Sequence, residues 1–153
     1  MVQALDEAKL HEFVGKMLGD IGGAFSVPTT RIGFRLGLFD ELAKAPATAA
    51  ELAQRAGGLH ERYVREWCLA QSANGYVTYD AASDRFGISP EQAMVFTVAD
   101  SPVYLRGAFE LAAAMIEAED KVEHCFRHGT GVRWGIRPGA CSARRGCFFG
   151  RVT

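Results

Sequence analysis

Between Thr48 and Ile88 the chain sets two short helical stretches in a row and follows them with a ribbon, and this order constrains the fold more than anything else in it. "TAAELAQRAGG" opens with a capping box, in which Thr48 bonds the backbone of Glu51 and the Glu51 side chain reaches back. Leu52 and Ala56 are its inward positions, and Gly57-Gly58 end it. "HERYVREWCLAQSANGY" is predicted as the next helix, with Tyr63, Trp67 and Ala70 on its core face. "YVTYD-AASD-RFGIS" then reads as two short strands joined by a polar turn. A helix–turn–helix followed by a two-stranded wing predicts a mainly α, winged helix-turn-helix fold with additional long helices.

The flanks supply those additional helices. Leu10, Phe13, Val14, Met17, Leu18 and Ile21 recur at helical spacing, which predicts an amphipathic helix over residues 7–24, loosened at Gly22-Gly23. "TTRIGFRLGLFDELAKA" predicts a second helix facing inward through Ile32, Leu36, Phe39 and Leu42. Gly33 and Gly37, four apart, would let another helix approach closely, and Pro46 stops the segment. Ser89-Pro90 is a capped start with proline at the first helical position. Ser101-Pro102 predicts the same for one long helix with Leu105, Phe109, Ala112 and Ile116 on a stripe.

Charge separates the chain into two parts. After position 126 there are six arginines, six glycines and no acidic residue, so the first 126 residues hold 11 basic against 18 acidic side chains. An acidic body disfavours a nucleic-acid partner. No apolar run reaches the length of a membrane span. "MVQALDEAKLHEF" lacks the basic and apolar regions of a signal peptide. Cys68, Cys125, Cys141 and Cys147 form no CxxC pair and read as reduced thiols of a cytoplasmic protein.

Candidate sites are sparse. A winged helix raises DNA binding through Arg62 and Arg65, yet Glu61 and Glu66 stand four residues from Arg65 and Arg62 and can pair with them. Asp80 and Asp84 make the wing tip acidic where a phosphate-facing wing is basic. DNA binding by a winged-helix regulator is therefore the alternative reading. His124 and His128, four apart, could share a metal, but no carboxylate stands beside them in the zinc-protease arrangement. "CSARRGC" puts five residues between Cys141 and Cys147, so these residues, with Cys125, are not read as a metal site. Cys68, beside Trp67, reads as a small hydrophobe. "GDIGGAF" and "GFRLG" lie in helical pattern with no strand before them, so neither is a nucleotide cradle. The reading assigns no catalytic, cofactor-binding or metal residue.

"RIGFRLGLFDELAKAPATAAELAQRAGGLHERYVREWCLAQSANGYVTYDAASDRFGISPEQAMVF", with "SPVYLRGAFELAAAM" and "GTGVRWG", resembles the N-terminal winged-helix region of actinobacterial-type S-adenosylmethionine-dependent methyltransferases. The likeness runs from about Lys9 to Gly135. It implies an N-terminal domain over residues 1–128 that packs on the substrate side and forms a homodimer through helical surfaces. In that family a Rossmann-like domain follows, with an acidic-Gly-x-Gly loop for S-adenosylmethionine. These residues contain no such loop, so the expectation is a truncated relative without methyl-transfer activity of its own, the catalytic domain being absent. A half-enzyme completed by a separately encoded subunit is a third reading.

Residues 129–153 are expected to be a disordered basic tail. The family follows "GVxWG" with Cys-Leu-Phe-Cys and Arg-Pro-Gly-Tyr. With suitable codons assumed, a displaced frame of "GACSA" and "FGRVT" restores both. Everything after about Gly135 then reads as frameshifted sequence. An arginine-glycine RNA-binding tail is the rival, weakened by the lack of repeated RGG units.

Overall fold

The computed structural model describes residues 5–131, and the segment expected as a basic tail lies, from position 132 on, outside them. Seven helices and one antiparallel ribbon make up the described residues: α1 (Glu7–Leu36), α2 (Leu38–Lys44), α3 (Ala49–Arg55), α4 (Glu61–Ala73), β1 (Thr78–Asp80), β2 (Arg85–Gly87), α5 (Pro90–Phe96), α6 (Arg106–Glu117) and α7 (Glu119–His128). The mainly α, winged helix-turn-helix architecture is as expected, and several boundaries are not.

The expected break at Gly22-Gly23 does not occur. Capped by Asp6, whose Oδ1 accepts from the N–H of Ala8 and Lys9 at 3.1 and 3.2 Å, α1 runs on through Pro28 to Leu36. Pro28 removes a rung of the helical ladder. Around it the hydroxyls of Ser26 and Thr29 donate to the carbonyls of Gly23 and Ser26 at 2.7 and 2.9 Å. The chain turns instead at Gly37, whose φ of 70° is left-handed and whose N–H closes onto the Gly33 carbonyl. That turn resets the helical register. Ile32 and Leu36, expected inside, are exposed, while Thr30, Gly33 and Phe34 from α1 join Leu38, Phe39 and Leu42 from α2 in the core.

The two glycines four residues apart do different work. A Cβ on Gly33 would collide with the Trp67 ring of α4 and come within 2.7 Å of Phe39 Cε2, so this position is the close helix approach. Gly37 is the turn, where L residues are strained.

The capping box at Thr48 forms as expected: Glu51 N–H donates to Thr48 Oγ1 at 3.2 Å, and Thr48 N–H to Glu51 Oε2 at 3.1 Å. Gly57 and Gly58, at φ of 99° and 79°, end α3. On α4 the inward face is Val64, Trp67, Cys68 and Gln71; Tyr63, expected inside, is 73% exposed. The wing pairs Thr78 with Gly87, Tyr79 with Phe86 and Asp80 with Arg85. A further bridge, invisible in the sequence, joins Ala47 to Phe86 by N–H···O bonds of 2.9 and 2.8 Å. It anchors the ribbon to the loop before α3.

Ser89-Pro90 starts α5 with a second capping box. Ser101-Pro102 does not start a helix. Ser101 Oγ accepts from Val103 N–H at 3.2 Å inside a turn, Leu105 N–H crosses to the Val95 carbonyl, and α6 begins at Arg106. The single long helix expected here is two, with a corner at Ala118. Glu117 opposes the negative C-terminal end of α6, whereas Glu119 and Asp120 suit the positive first turn of α7. Of the predicted stripe, Phe109 and Ala112 are half-buried, and Leu105 and Ile116 are exposed.

One aromatic cluster centres this core. Phe39 stacks on Phe96 at 4.6 Å between ring centroids, meets Trp67 edge-on at 5.0 Å and lies 5.1 Å from Phe34. Trp67 Nε1 donates to the Thr29 carbonyl at 2.8 Å, so the ring is satisfied while buried.

Candidate functional site

Two surfaces of the described residues carry something other than a solvated polar face. One is the wing against α4, where DNA would bind. The other is the outer face of α1 with α6 and α7.

At the wing, Arg65 does not pair with Glu61 as the spacing suggested. Its Nη1 reaches across to Asp84 Oδ2 and Oδ1 at 3.2 and 3.4 Å. The turn between the strands swings Asp84 over the exposed side of α4, nearer than the i−4 residue. Asp84 also accepts from the Tyr79 hydroxyl at 2.9 Å. Arg85 closes a fork on Glu51, with Nη1 and Nη2 each 2.8 Å from a carboxylate oxygen. Arg62 is exposed on the first turn of α4, and the pair expected with Glu66 is not formed. The residues that sequence reasoning missed here are Glu51 and Asp84 as partners of arginines and Tyr79 as a donor to Asp84, because their pairing depends on how the ribbon folds back.

These bonds shift the carboxylates. Donation from Arg85 and from the Thr48 N–H holds Glu51 below its ordinary 4.5, and donation from Tyr79 and Arg65 holds Asp84 below its ordinary 3.8. A carboxylate depressed in the folded state stabilises above its unfolded pKa, and that contribution disappears as pH falls through the folded value. The wing attachment is therefore complete at neutral pH and weakens only below these values. A Glu51→Gln, Asp84→Asn double variant is expected to show a flatter fall of Tm than wild type as the pH is lowered through 3.8. Parallel Tm–pH curves would refute the assignment.

Other chemistry-bearing residues do not assemble. Burial pushes the Cys68 thiol up to about 12, which keeps it protonated and inert as a nucleophile. His124 and His128 lie on one side of α7 with ring centroids 4.3 Å apart, and among the described residues no group of three or more His, Cys, Asp or Glu gathers around a common point. Cys141 and Cys147 are outside the described residues. No described helix is long and apolar enough to cross a membrane.

The second surface is apolar. Every residue of α1 from position 7 to 25 is exposed, including the predicted stripe Leu10, Phe13, Val14, Met17, Leu18 and Ile21, and Phe25 extends it. Met115, Ile116, Val122 and Phe126 line a hollow at the α6–α7 corner rimmed by Glu119 and Glu123, with Phe126 87% exposed. Arg31 ties the two regions together: its Nε and Nη2 lie 3.1 and 2.8 Å from Glu110 Oε2, joining α1 to α6.

Comparison with known proteins agrees with this architecture. Residues 24–98 match the model of the Rv2258c-like winged HTH domain. Among solved structures, the chain is similar to the mitomycin 7-O-methyltransferase MmcR (26% identity, TM-score 0.60, covering 80% of this chain and 35% of that one). It shares the fold of CalO1, a methyltransferase in calicheamicin biosynthesis in its SAH-bound form (21%, 0.57, 80% and 35%), and of PigF with SAH (19%, 0.58, 76% and 33%). The chain thus spans about a third of the length of the structures it matches. No curated protein matches it. Capped helices, wing register and family model coincide, so residues 24–98 are an Rv2258c-like winged helix-turn-helix domain, of the kind found in the N-terminal region of S-adenosylmethionine-dependent methyltransferases.

Proposed function

We propose that this winged helix is the pairing scaffold of a methyltransferase-type chain, joining two copies through α1 and the α6–α7 face, and that it does not read DNA. The observation that carries the proposal is the state of α1. Its residues 7–25 form helix with no tertiary cover and include Gly15, Gly19, Gly22 and Gly23. Each glycine costs about 1 kcal/mol relative to alanine in a helix, and helices in proteins draw most of their stability from packing of an amphipathic face. Such a segment gains its stability from burying the apolar stripe, and a contiguous patch of this kind is uncommon on a monomer. A second copy offers the same patch, so a two-fold arrangement covers both at once.

The absence of a glycine-rich loop after a strand in these residues supports a structural part over methyl transfer by this stretch alone. Free Cys68 and Cys125 suit a reducing, cytoplasmic setting. The regulator reading is weakened because Arg65 and Arg85 are already paired.

Light scattering coupled to size exclusion tests the proposal. The wild-type chain is expected to run as a dimer. Phe13→Glu with Leu18→Glu, at positions 61% and 63% exposed, is expected to yield monomer and to lose helical ellipticity equivalent to the uncovered part of α1. A monomeric wild type with that ellipticity intact refutes the scaffold.

A further inference from the structure

We infer that the wing is latched to the helix–turn–helix by two carboxylate–guanidinium clamps, which withhold Arg65 and Arg85, though not the exposed Arg62, from a phosphate backbone. The inference rests on the reading that the α4 face is not a DNA reader, and it assigns the cause.

The two clamps join the ribbon to α3 and to α4. Asp84, in the turn of the ribbon, takes Arg65 from the middle of α4 and Tyr79 from β1. Glu51, on the first turn of α3, takes both Nη atoms of Arg85 from the first residue of β2 and has Arg55 Nη2 3.7 Å away. Two carboxylates therefore occupy two arginines, with Arg55 beside one of them, around the face where a winged helix meets DNA. Carboxylate and phosphate are recognised by the same planar fork, so a phosphate must displace the internal partner before it gains a contact.

The backbone at Asp84 points the same way. Its φ of 50° makes it the only non-glycine residue in the left-handed region among the described residues. Glycine would sit there without strain, and asparagine or aspartate is tolerated. Aspartate adds a charge that the turn itself does not need. That charge is what reaches Arg65.

Neutral amides separate the latch from the fold. Glu51→Gln keeps a capping-box residue at this position, and Asp84→Asn keeps a residue that tolerates the backbone and can still accept from Tyr79. Fluorescence anisotropy with a generic labelled duplex, over a range of salt, reads the result. Wild type is expected to show no saturable binding at physiological salt. The double variant is expected to bind about ten- to a hundredfold more tightly than wild type at low salt. Its slope of log K against log salt is expected to be steeper by about 2, one for each released arginine. Glu117→Gln with Asp120→Asn makes the same change in net charge at the α6–α7 corner and is expected to leave the slope unchanged.

A folded double variant that matches wild type, or that gains no more than the α6–α7 control, overturns the latch. If wild type itself binds the duplex at physiological salt, the exclusion of DNA proposed above falls instead, and the ratio of variant to wild type still decides the latch. Should the double variant fail to melt cooperatively, Asp84→Asn alone carries the test. It leaves the α3 cap and the Arg85 fork intact, and a slope change of about 1 is then the expected reading.

Discussion

Phe39→Ala is expected to cost about 3–5 kcal/mol, a large share of the roughly 5–15 kcal/mol by which a domain is stable. Phe39 is 1% exposed and is the ring that Phe34, Trp67 and Phe96 all touch, so its loss leaves a cavity among α1, α2, α4 and α5. Large aromatic neighbours cannot collapse into that space without leaving their rotamers. In a thermal melt followed by far-UV ellipticity the transition is expected to fall by about 6–20 °C. Tyr63→Ala, at a position the sequence pattern also placed in the core, is expected to change stability by less than about 0.5 kcal/mol, because that ring lies in solvent. Equal effects at the two positions would refute the core described here.

The second large effect has an unusual sign. Alanine for glycine inside a helix ordinarily stabilises by up to about 1 kcal/mol. Gly33→Ala is expected to destabilise by about 1–3 kcal/mol instead, because the added methyl collides with the Trp67 ring and with Phe39, neither of which has space to retreat into. Gly107→Ala, in α6 with nothing near the new Cβ, is expected to show the ordinary gain. Urea titrations of the two variants beside wild type compare them directly. A stabilising Gly33→Ala would mean that α1 and α4 do not cross at this glycine.

Where local chemistry decides the structure, the sequence was legible. The Thr48–Glu51 and Ser89–Gln92 caps, the Gly57-Gly58 stop and the polar turn of the wing are each written in residues within a few positions of one another. Periodicity was less reliable. It located α1 and α6 but misplaced their ends, because glycine, proline and small residues leave a helix free to continue or stop according to what packs against it. The face of α4 was rotated by one position: Tyr63 and Val64 are adjacent, and only packing against α1 and α3 shows which is inside.

The candidate surfaces divide along the same line. That residues 7–24 carry an apolar stripe was readable from spacing alone, whereas the apolar hollow at the α6–α7 corner was not, because one long helix was expected there. That the α1 stripe lies uncovered among the described residues was not readable either, since a stripe on a core helix and one awaiting a partner have identical spacing. The arginine pairings depended still more on the fold. Glu61 and Arg65 are close in any helix, yet Arg65 spends its charge on Asp84, nineteen positions away, because the ribbon turns back over α4.

Helix caps, glycine stops, strand alternation and charge balance are short-range properties, and from them alone this chain is bound to form a winged helix with an acidic body. Which glycine lets helices touch, which ring sits at the centre and which carboxylate holds each arginine were settled by tertiary packing. Contacts between distant positions follow from the relative placement of whole elements, and no local pattern encodes that placement.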